Sequence, residues 1–305
     1  MNPPIGAFAE VNGTRVHYVL IPAGADADLP PLVFIHGASG NLKDPMVPFL
    51  PKLKGRAEML FLDRPGNGWS STGPKADDII DQHADTIAAL MESLGIKSAI
   101  IVGHSFGGSV TASLAVHHPE MVRGIVFLSP ATHPWPGCDV AAYYDLTNTP
   151  VIGPIFSETL AAPVGSVRLK SGSRGVFEPN TMPENYVDDA SIGLVLRPHS
   201  FRANARQVGS LCGHNAILQP RYKEIAVPTV IITGNQDSVV AEEIHSKGLE
   251  RDIAGSELVW VDGLGHKPDY VATDLAIEAI EKVAGMKRDL QLSARKVEAR
   301  LKGGL

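Results

Sequence analysis

Residues 99–107 read Ala99-Ile100-Ile101-Val102-Gly103-His104-Ser105-Phe106-Gly107, and this segment carries the strongest structural signal in the chain. Its first four residues are continuously apolar, which favours a strand buried on both faces of a parallel sheet. Residues 106–116 lack proline and are rich in small residues, and a His-Pro pair follows, so a helix is predicted there. A serine between strand and helix, flanked by glycines, is typical of a sharp turn that exposes a nucleophilic hydroxyl.

Apolar runs of strand length recur along the chain and alternate with helical stretches. The further runs are residues 32–35, 59–62, 125–128, 229–232 and 258–261. In residues 76–94, apolar side chains recur at helical spacing, and Gly95 supplies a stop. This alternation predicts an α/β fold with a mostly parallel central sheet flanked by helices. Residues 9–21, with Asn12-Gly13 at their centre, predict an antiparallel hairpin at one edge of the sheet.

The strand and helix rhythm breaks once, which predicts an inserted cap. We expect an N-terminal part of the core in residues 1–131 and a helical cap in 132–218, inserted after the sixth strand. The C-terminal part of the core follows in 219–286, and a basic amphipathic tail in 287–305.

The cap and the tail each contain predicted helices. Within the cap, residues 183–196 and 200–218 are predicted to be helical, with Pro183 in a first turn and Ser200 as an N-cap. The tail carries one narrow apolar stripe, and it could dock on its own core, fray, or meet a partner or membrane surface.

Charge, apolar segments and cysteine content indicate which partners and which location to expect for this protein. A net charge of −6 and a pI near 6.0 argue against a nucleic-acid partner. No segment approaches the roughly 18 apolar residues of a membrane span, so we expect a soluble, cytoplasmic protein without stable membrane insertion. Cys138 and Cys212 are too few and too distant in sequence for a disulfide framework, and both are predicted to be reduced, buried thiols. The oligomeric state is left open.

Two further residues complete a catalytic arrangement with Ser105. His266 follows the apolar run 258–261, and Asp237 follows the run 229–232. The carboxyl ends of parallel strands lie at one edge of a sheet, where ligands bind. A serine nucleophile needs a histidine to take its proton and an acid to orient that histidine, and the chain order Ser, Asp, His accompanies this type of turn. The sequence therefore predicts Ser105, Asp237 and His266 as a catalytic triad.

An oxyanion hole requires two backbone N–H groups near the nucleophile. One is predicted at Phe106, directly after Ser105. The other is predicted at Ala38, in the small-residue loop that follows residues 32–35.

Neither a cofactor nor a metal is predicted. His117 and His118 are neighbours on a helix and cannot face one ion, and no cluster has metal-ligand spacing. Gly66-Asn67-Gly68 lacks the third glycine of a dinucleotide fingerprint.

Taken together, these motifs resemble the α/β-hydrolase fold superfamily, in its capped branch with a serine nucleophile. The matching segments are His36-Gly37, Asp63-Arg64-Pro65-Gly66-Asn67-Gly68-Trp69-Ser70, the Ser105 turn, Gly234-x-x-Asp237 and Gly265-His266-x-Pro268. Relatives with aspartate at the nucleophile position are haloalkane dehalogenases and epoxide hydrolases, so Ser105 argues against both activities. The resemblance implies that His36, Asp63 and Arg64 support the loops structurally. Lys267 departs from the hydrophobic residue that many relatives carry.

The resemblance and the residues together predict a carboxylesterase-like serine hydrolase. It would cleave an ester-like bond, or another carbonyl bond, of a small, partly apolar molecule through an acyl-enzyme. A carbon-carbon bond hydrolase, a lactonase or a cofactor-free perhydrolase would use the same triad, and a slowly turning over small-molecule receptor is an alternative of another class.

The substrate-binding candidates lie in the predicted cap. They are Trp135, Tyr143, Phe156, Arg197 and Arg202, with Tyr144, His199, Phe201 and Asn204 as further candidates. The two arginines could anchor an acidic or carbonyl group of the substrate.

Overall fold

The fold is a single eight-stranded sheet with helices on both faces. The computed structural model describes residues 3–73, 79–150, 152–159 and 161–303. The strands are β1 (Ala7–Val11), β2 (Thr14–Ile21), β3 (Leu32–Ile35), β4 (Met59–Leu62), β5 (Ala99–His104), β6 (Val122–Leu128), β7 (Thr229–Gly234) and β8 (Glu257–Val261). Their order in the sheet is β1-β2-β4-β3-β5-β6-β7-β8. Strands β3 to β8 pair in parallel, and β1 and β2 form the antiparallel edge. The predicted α/β sheet is confirmed.

Twelve α-helices are found within the described ranges. They are α1 (Lys43–Leu53), α2 (Ile80–Ser93), α3 (Phe106–His117), α4 (Ala142–Asn148), α5 (Ile152–Thr159), α6 (Ala161–Phe177), α7 (Tyr186–Asp189), α8 (Pro198–Leu218), α9 (Glu242–Asp252), α10 (Pro268–Val271), α11 (Thr273–Val283) and α12 (Leu290–Lys302). The predicted start of the second helix, residues 76–78, lies outside the described residues.

Alternating side chains of the central strands supply two apolar cores, one on each face of the sheet. On β3, Val33 and Ile35 pack with α2 and α3, whereas Leu32 and Phe34 pack with α1 and α11. The tail helix α12 joins the second core through its apolar stripe, which includes the fully buried Leu290.

The segment between β6 and β7 forms helices α4 to α8, and two predictions there need correction. Helix α8 begins at Pro198 with Arg197 as its N-cap, not at Ser200, because proline suits the first helical position. Residues 183–196 are not one helix, since α7 ends before Ser191, which has φ +51°, and a 3-10 turn covers Ile192–Leu196. Asn41 donates to the carbonyls of Ala190 and Ser191 at this break, so contacts with the core override the local helical pattern.

The prediction of two reduced cysteines was wrong. Cys138 and Cys212 form a disulfide, with their Cα atoms 5.6 Å apart. Helix α8 brings Cys212 back against the segment that follows β6, a contact that the 74-residue separation in sequence does not reveal. The cysteines therefore give no support to the predicted cytoplasmic location.

Hydrogen bonds also join the two ends of this insertion. The Asn215 side chain on α8 donates to the Ala131 carbonyl at 3.0 Å, and the Tyr222 hydroxyl donates to the Thr132 carbonyl at 2.7 Å. The chain thus leaves the sheet and returns to it at neighbouring points.

Within the ranges described, no helix combines the length and the apolar character that crossing a membrane requires.

Candidate active site

Ser105 occupies a strained turn between β5 and α3. Its φ of +53° is rare for a residue with a side chain, and the turn directs the chain from the strand into the helix. A Cβ on Gly103 would lie 2.2 Å from Thr111 Oγ1, and a Cβ on Gly107 would lie 2.3 Å from the Ile35 carbonyl oxygen. Only glycine fits at these two positions, so the flanking glycines permit the sharp turn that places Ser105 at the cavity.

His266 joins Ser105 to Asp237. Its Nδ1 lies 2.7 Å from Asp237 Oδ2, and its Nε2 lies 3.0 Å from Ser105 Oγ. With a carboxylate accepting from Nδ1–H, the lone pair of Nε2 faces the serine hydroxyl. The side chains of His266 and Asp237 are almost fully buried, so bulk water does not compete for these bonds. The arrangement can move a proton from the hydroxyl to the imidazole.

The Asp237 carboxylate is held in its charged form. Burial alone would raise the pKa of this carboxyl, but the adjacent His266 and two backbone amides outweigh it, and the pKa lies below its usual value. The amides are those of Val239 and Val240, each donating to Oδ1 at 2.9 Å. A negative charge at this position would stabilise an imidazolium on His266.

A residue of the inserted segment holds the loop that carries His266. Asn180 donates to the Gly263 carbonyl and accepts from the Gly265 amide, both at 2.8 Å. A Cβ on Gly265 would lie 2.3 Å from the Glu178 carbonyl oxygen, so glycine is required for this close approach. His104 adds a third contact, with its Nε2 lying 2.8 Å from the His266 carbonyl. The sequence contains no signal for the hydrogen bonds of Asn180 to this loop, because Asn180 and Gly265 are 85 residues apart.

Lys267, which follows His266 directly, lies buried in an ionic cluster. Its ammonium bonds Asp44 at 3.0 Å and Asp269 at 2.9 Å. The hydroxyls of Tyr186 and Tyr270 also bond Asp44, through its carboxylate and its carbonyl respectively. Burial opposes a charged ammonium, but the two carboxylates outweigh it and raise the pKa of Lys267 above its usual value. The cluster ties α1, α7 and the His266 loop together.

The same cluster accounts for a group of potential metal ligands. Atoms of Asp44, His104 and Asp269 lie within 4.8 Å of one another. The Lys267 ammonium already binds both of these carboxylates, so an internal cation supplies their charge partner.

The loop after β3 lies directly against Ser105. A Cβ on Gly37 would lie 3.1 Å from Ser105 Cβ, so the loop passes very close to the serine. Buried Arg64 fixes this loop by donating to the carbonyls of His36 and Gly37 at 3.1 and 3.0 Å, and it stacks over Phe106. The Phe106 amide is the first of α3, and the Ala38 side of the loop faces the cavity beside Ser105. These are the two amides for which the sequence predicts an oxyanion role.

A cavity of about 1020 Å³ opens above Ser105 and His266, and its wall is mainly apolar. Of the substrate-binding candidates, those that line it are Trp135, Tyr143, Tyr144, Phe156, Phe201 and Asn204. The predicted anchors Arg197 and Arg202 do not belong to the described lining. Arg197 donates to the Gly68 carbonyl and stacks on Trp69, while Arg202 pairs with Glu158, so both guanidinium groups are already engaged. His199 likewise lies outside the described wall, whereas His245, which the sequence did not suggest, is part of it.

Comparisons with known proteins agree with this architecture. Residues 30–268 match the family model of the alpha/beta hydrolase fold. Among solved structures, the enol-lactonase of Burkholderia xenovorans LB400 has a TM-score of 0.73 and 21% identity, covering 92% of this chain and all of that one.

Two curated relatives are similar in sequence. The dihydrolipoyllysine-residue acetyltransferase component of the acetoin cleaving system of Cupriavidus necator is 40% identical over 124 residues. This match covers 40% of this chain but only 31% of that protein. The 2-(acetamidomethylene)succinate hydrolase of Mesorhizobium japonicum is 26% identical over 272 residues, which cover 82% of this chain and 86% of that protein.

The fold and the family match define the class: the chain belongs to the alpha/beta hydrolase fold family. This membership, with hydrolases among the relatives, supports an enzyme that acts on a small molecule.

Proposed function

We propose that this protein is a serine hydrolase that cleaves an ester-like bond of a small, largely apolar molecule through an acyl-enzyme. The observation that carries the proposal is the position of His266, within hydrogen-bond distance of both Ser105 Oγ and Asp237 Oδ2. A histidine so placed can act first as a base and then as an acid.

The reaction would proceed in two balanced steps. Ser105 Oγ attacks the carbonyl carbon while His266 Nε2 takes its proton, and the N–H groups of Ala38 and Phe106 stabilise the oxyanion. The intermediate then expels the alcohol, which receives that proton from His266, and leaves an acyl group on Ser105. Water attacks the acyl group with the help of His266, releases the acid and restores the serine.

The cavity supports a substrate with apolar arms. Its wall is formed mostly by aromatic and aliphatic side chains, and these are the groups that bury a largely hydrocarbon ligand.

Substitution of the nucleophile tests the proposal. Ser105→Ala should lower kcat for p-nitrophenyl butanoate by about 10⁶-fold, the size of effect seen when a serine hydrolase loses its nucleophile. Ser93→Ala, on α2 and outside the cavity wall, is the matched control and should retain activity. A fluorophosphonate probe should label the wild type on Ser105 and leave Ser105→Ala unlabelled.

Two outcomes would overturn the proposal. Turnover by Ser105→Ala close to that of the wild type would remove the serine from the mechanism. Tight ligand binding by the wild type with almost no ester turnover would favour the receptor alternative.

A further inference from the structure

His245 is a polar side chain in the apolar wall of the cavity. It lies on α9, is 4% exposed, and packs edge-on against the Trp135 ring with the ring centroids 5.9 Å apart. Val240, Ile244 and Leu211 are among the aliphatic side chains of the same wall. A buried imidazole in such surroundings needs a partner for each ring nitrogen.

One ring nitrogen of His245 has a partner, and that partner fixes the tautomer. The backbone N–H of His133 donates to His245 Nδ1 at 2.9 Å, so Nδ1 must be an acceptor. Burial, together with the neighbouring His133 side chain, lowers the pKa of His245 to about 4. The ring is therefore neutral at pH 7, and its single proton sits on Nε2.

The Nε2–H group is left without an acceptor among the residues described. Trp135, its ring neighbour, is already engaged, because its Nε1 donates to the Asp139 carbonyl at 3.1 Å. Since Nε2 lies on the side of the ring opposite Nδ1, it is directed away from the His133 backbone. The cavity thus contains a hydrogen-bond donor that a ligand can use.

The donor is held rigidly. The backbone amide of His133 fixes the His245 ring. The side chain of His133 is itself held, because its Nε2 lies 3.2 Å from Asp252, which is on α9 like His245. A Cβ on Gly248 would lie 2.5 Å from His133 Nε2, so glycine lets α9 pack tightly on this imidazole. A donor held in advance loses little conformational freedom when a ligand binds.

The surrounding charges define the kind of acceptor. His245 is close enough to Asp237 and His266 for their charges to act on its pKa. A neutral donor in this mainly apolar wall cannot compensate for the desolvation of an anionic ligand group, and the charge of the Asp237 carboxylate opposes such a group further. A neutral oxygen, such as an ether or keto oxygen, suits the position.

We propose that His245 Nε2–H is a specificity-determining donor that binds a neutral oxygen on one arm of the substrate, apart from the reacting carbonyl. The inference rests on the proposed hydrolase function and adds the substrate class, an apolar ester with a second, uncharged acceptor.

Matched esters in which one CH2 is replaced by oxygen test this inference. On the alcohol arm the pair is butyl acetate and 2-methoxyethyl acetate. On the acyl arm it is p-nitrophenyl pentanoate and p-nitrophenyl 3-methoxypropanoate. For each pair the measured quantity is the ratio of kcat/KM for the ether to kcat/KM for the alkyl ester.

Two substitutions distinguish the roles of Nδ1 and Nε2 of His245. In His245→Asn the amide oxygen can still accept from the His133 amide, but the cavity donor is lost. In His245→Gln the amide N–H can reach the position of Nε2. We expect His245→Asn to lower the ether-to-alkyl ratio about tenfold for one arm, and His245→Gln to recover part of that loss. His118→Asn, outside the described wall, should leave the ratio unchanged. An unchanged ratio for both arms in His245→Asn would overturn the inference.

A binding measurement keeps this test separate from that of the hydrolase function. In Ser105→Ala protein, which should turn nothing over, the NMR signal of His245 Nε2–H should shift on titration with 2-methoxyethyl acetate. It should not shift in the same way with butyl acetate. Equal responses to both esters would reject the donor role whether or not the wild type hydrolyses them.

Discussion

Single atoms decide whether the Ser105 turn can form. Gly107 is the second residue of the helix that follows Ser105, and the space where its side chain would be is filled by the Ile35 carbonyl of the neighbouring strand. Helix propensity therefore favours alanine over glycine at this position, whereas the close contact with the carbonyl favours glycine. Elsewhere the chain offers a helical glycine without such a neighbour, Gly175 on α6.

Alanine substitutions at these two glycines should have opposite effects on stability. Gly175→Ala should raise the free energy of unfolding by about 0.5–1 kcal/mol, because alanine loses less backbone entropy in a helix. Gly107→Ala should lower it by about 1–3 kcal/mol, because a Cβ placed 2.3 Å from a backbone oxygen forces the sheet and helix apart. Urea unfolding of both variants checks this, and a stabilising Gly107→Ala would contradict a tight contact between Gly107 and the Ile35 carbonyl.

The sequence predicts some site residues and misses others for a physical reason. Ser105, Asp237 and His266 each follow an apolar run, so their positions at one sheet edge follow from local patterns. Asn180 and His245 reach the site only through packing of the inserted segment and α9 on the core. A single asparagine or histidine without a local motif gives no such signal.

At the scale of elements, strands were more predictable than the inserted helices. Strands β3 and β4 coincide with their apolar runs, because a strand buried on both faces must be apolar throughout. The break at Ser191 depends instead on Asn41, which lies 150 residues away and satisfies a carbonyl that a continuous helix would use. Contacts of this range leave no periodic pattern in the sequence.

The disulfide should stabilise the junction between the inserted segment and the sheet. It closes a loop of 74 residues, for which chain entropy predicts a contribution of about 4 kcal/mol. Cys138→Ser and the double variant Cys138→Ser/Cys212→Ser should both lose about this amount in urea unfolding, whereas wild type under non-reducing conditions should resist alkylation. Equal unfolding free energies for wild type and double variant would contradict this expectation.

Across the whole molecule, buried imidazoles link folding to pH. Burial is the main cause that lowers the pKa values of His36, His104, His133 and His245. Below about pH 6.5 these groups bind protons in the unfolded chain but not in the folded protein, so the unfolded state gains protons. Asp269 has the opposite effect on the pH dependence of stability, since burial raises its pKa to about 6. The four histidines outnumber this one carboxyl.

The free energy of unfolding should therefore fall as the pH is lowered from about 6.5 to 4. Each such histidine can contribute at most about 1.4 kcal/mol per pH unit. His245→Asn should reduce the slope in this window by about that amount, because its group no longer titrates. Urea unfolding at half-unit pH intervals measures the slope; a stability independent of pH between 4 and 6.5 would contradict the expectation.

The two ends of the inserted segment lie close together, which suggests how the segment could be exchanged by design. Because the Cα atoms of Cys138 and Cys212 lie only 5.6 Å apart, the intervening chain begins and ends at almost the same place. A longer, shorter or unrelated segment could be inserted between these two cysteines. Asn180 would have to be kept in any such graft, because this residue of the segment holds the loop that carries His266.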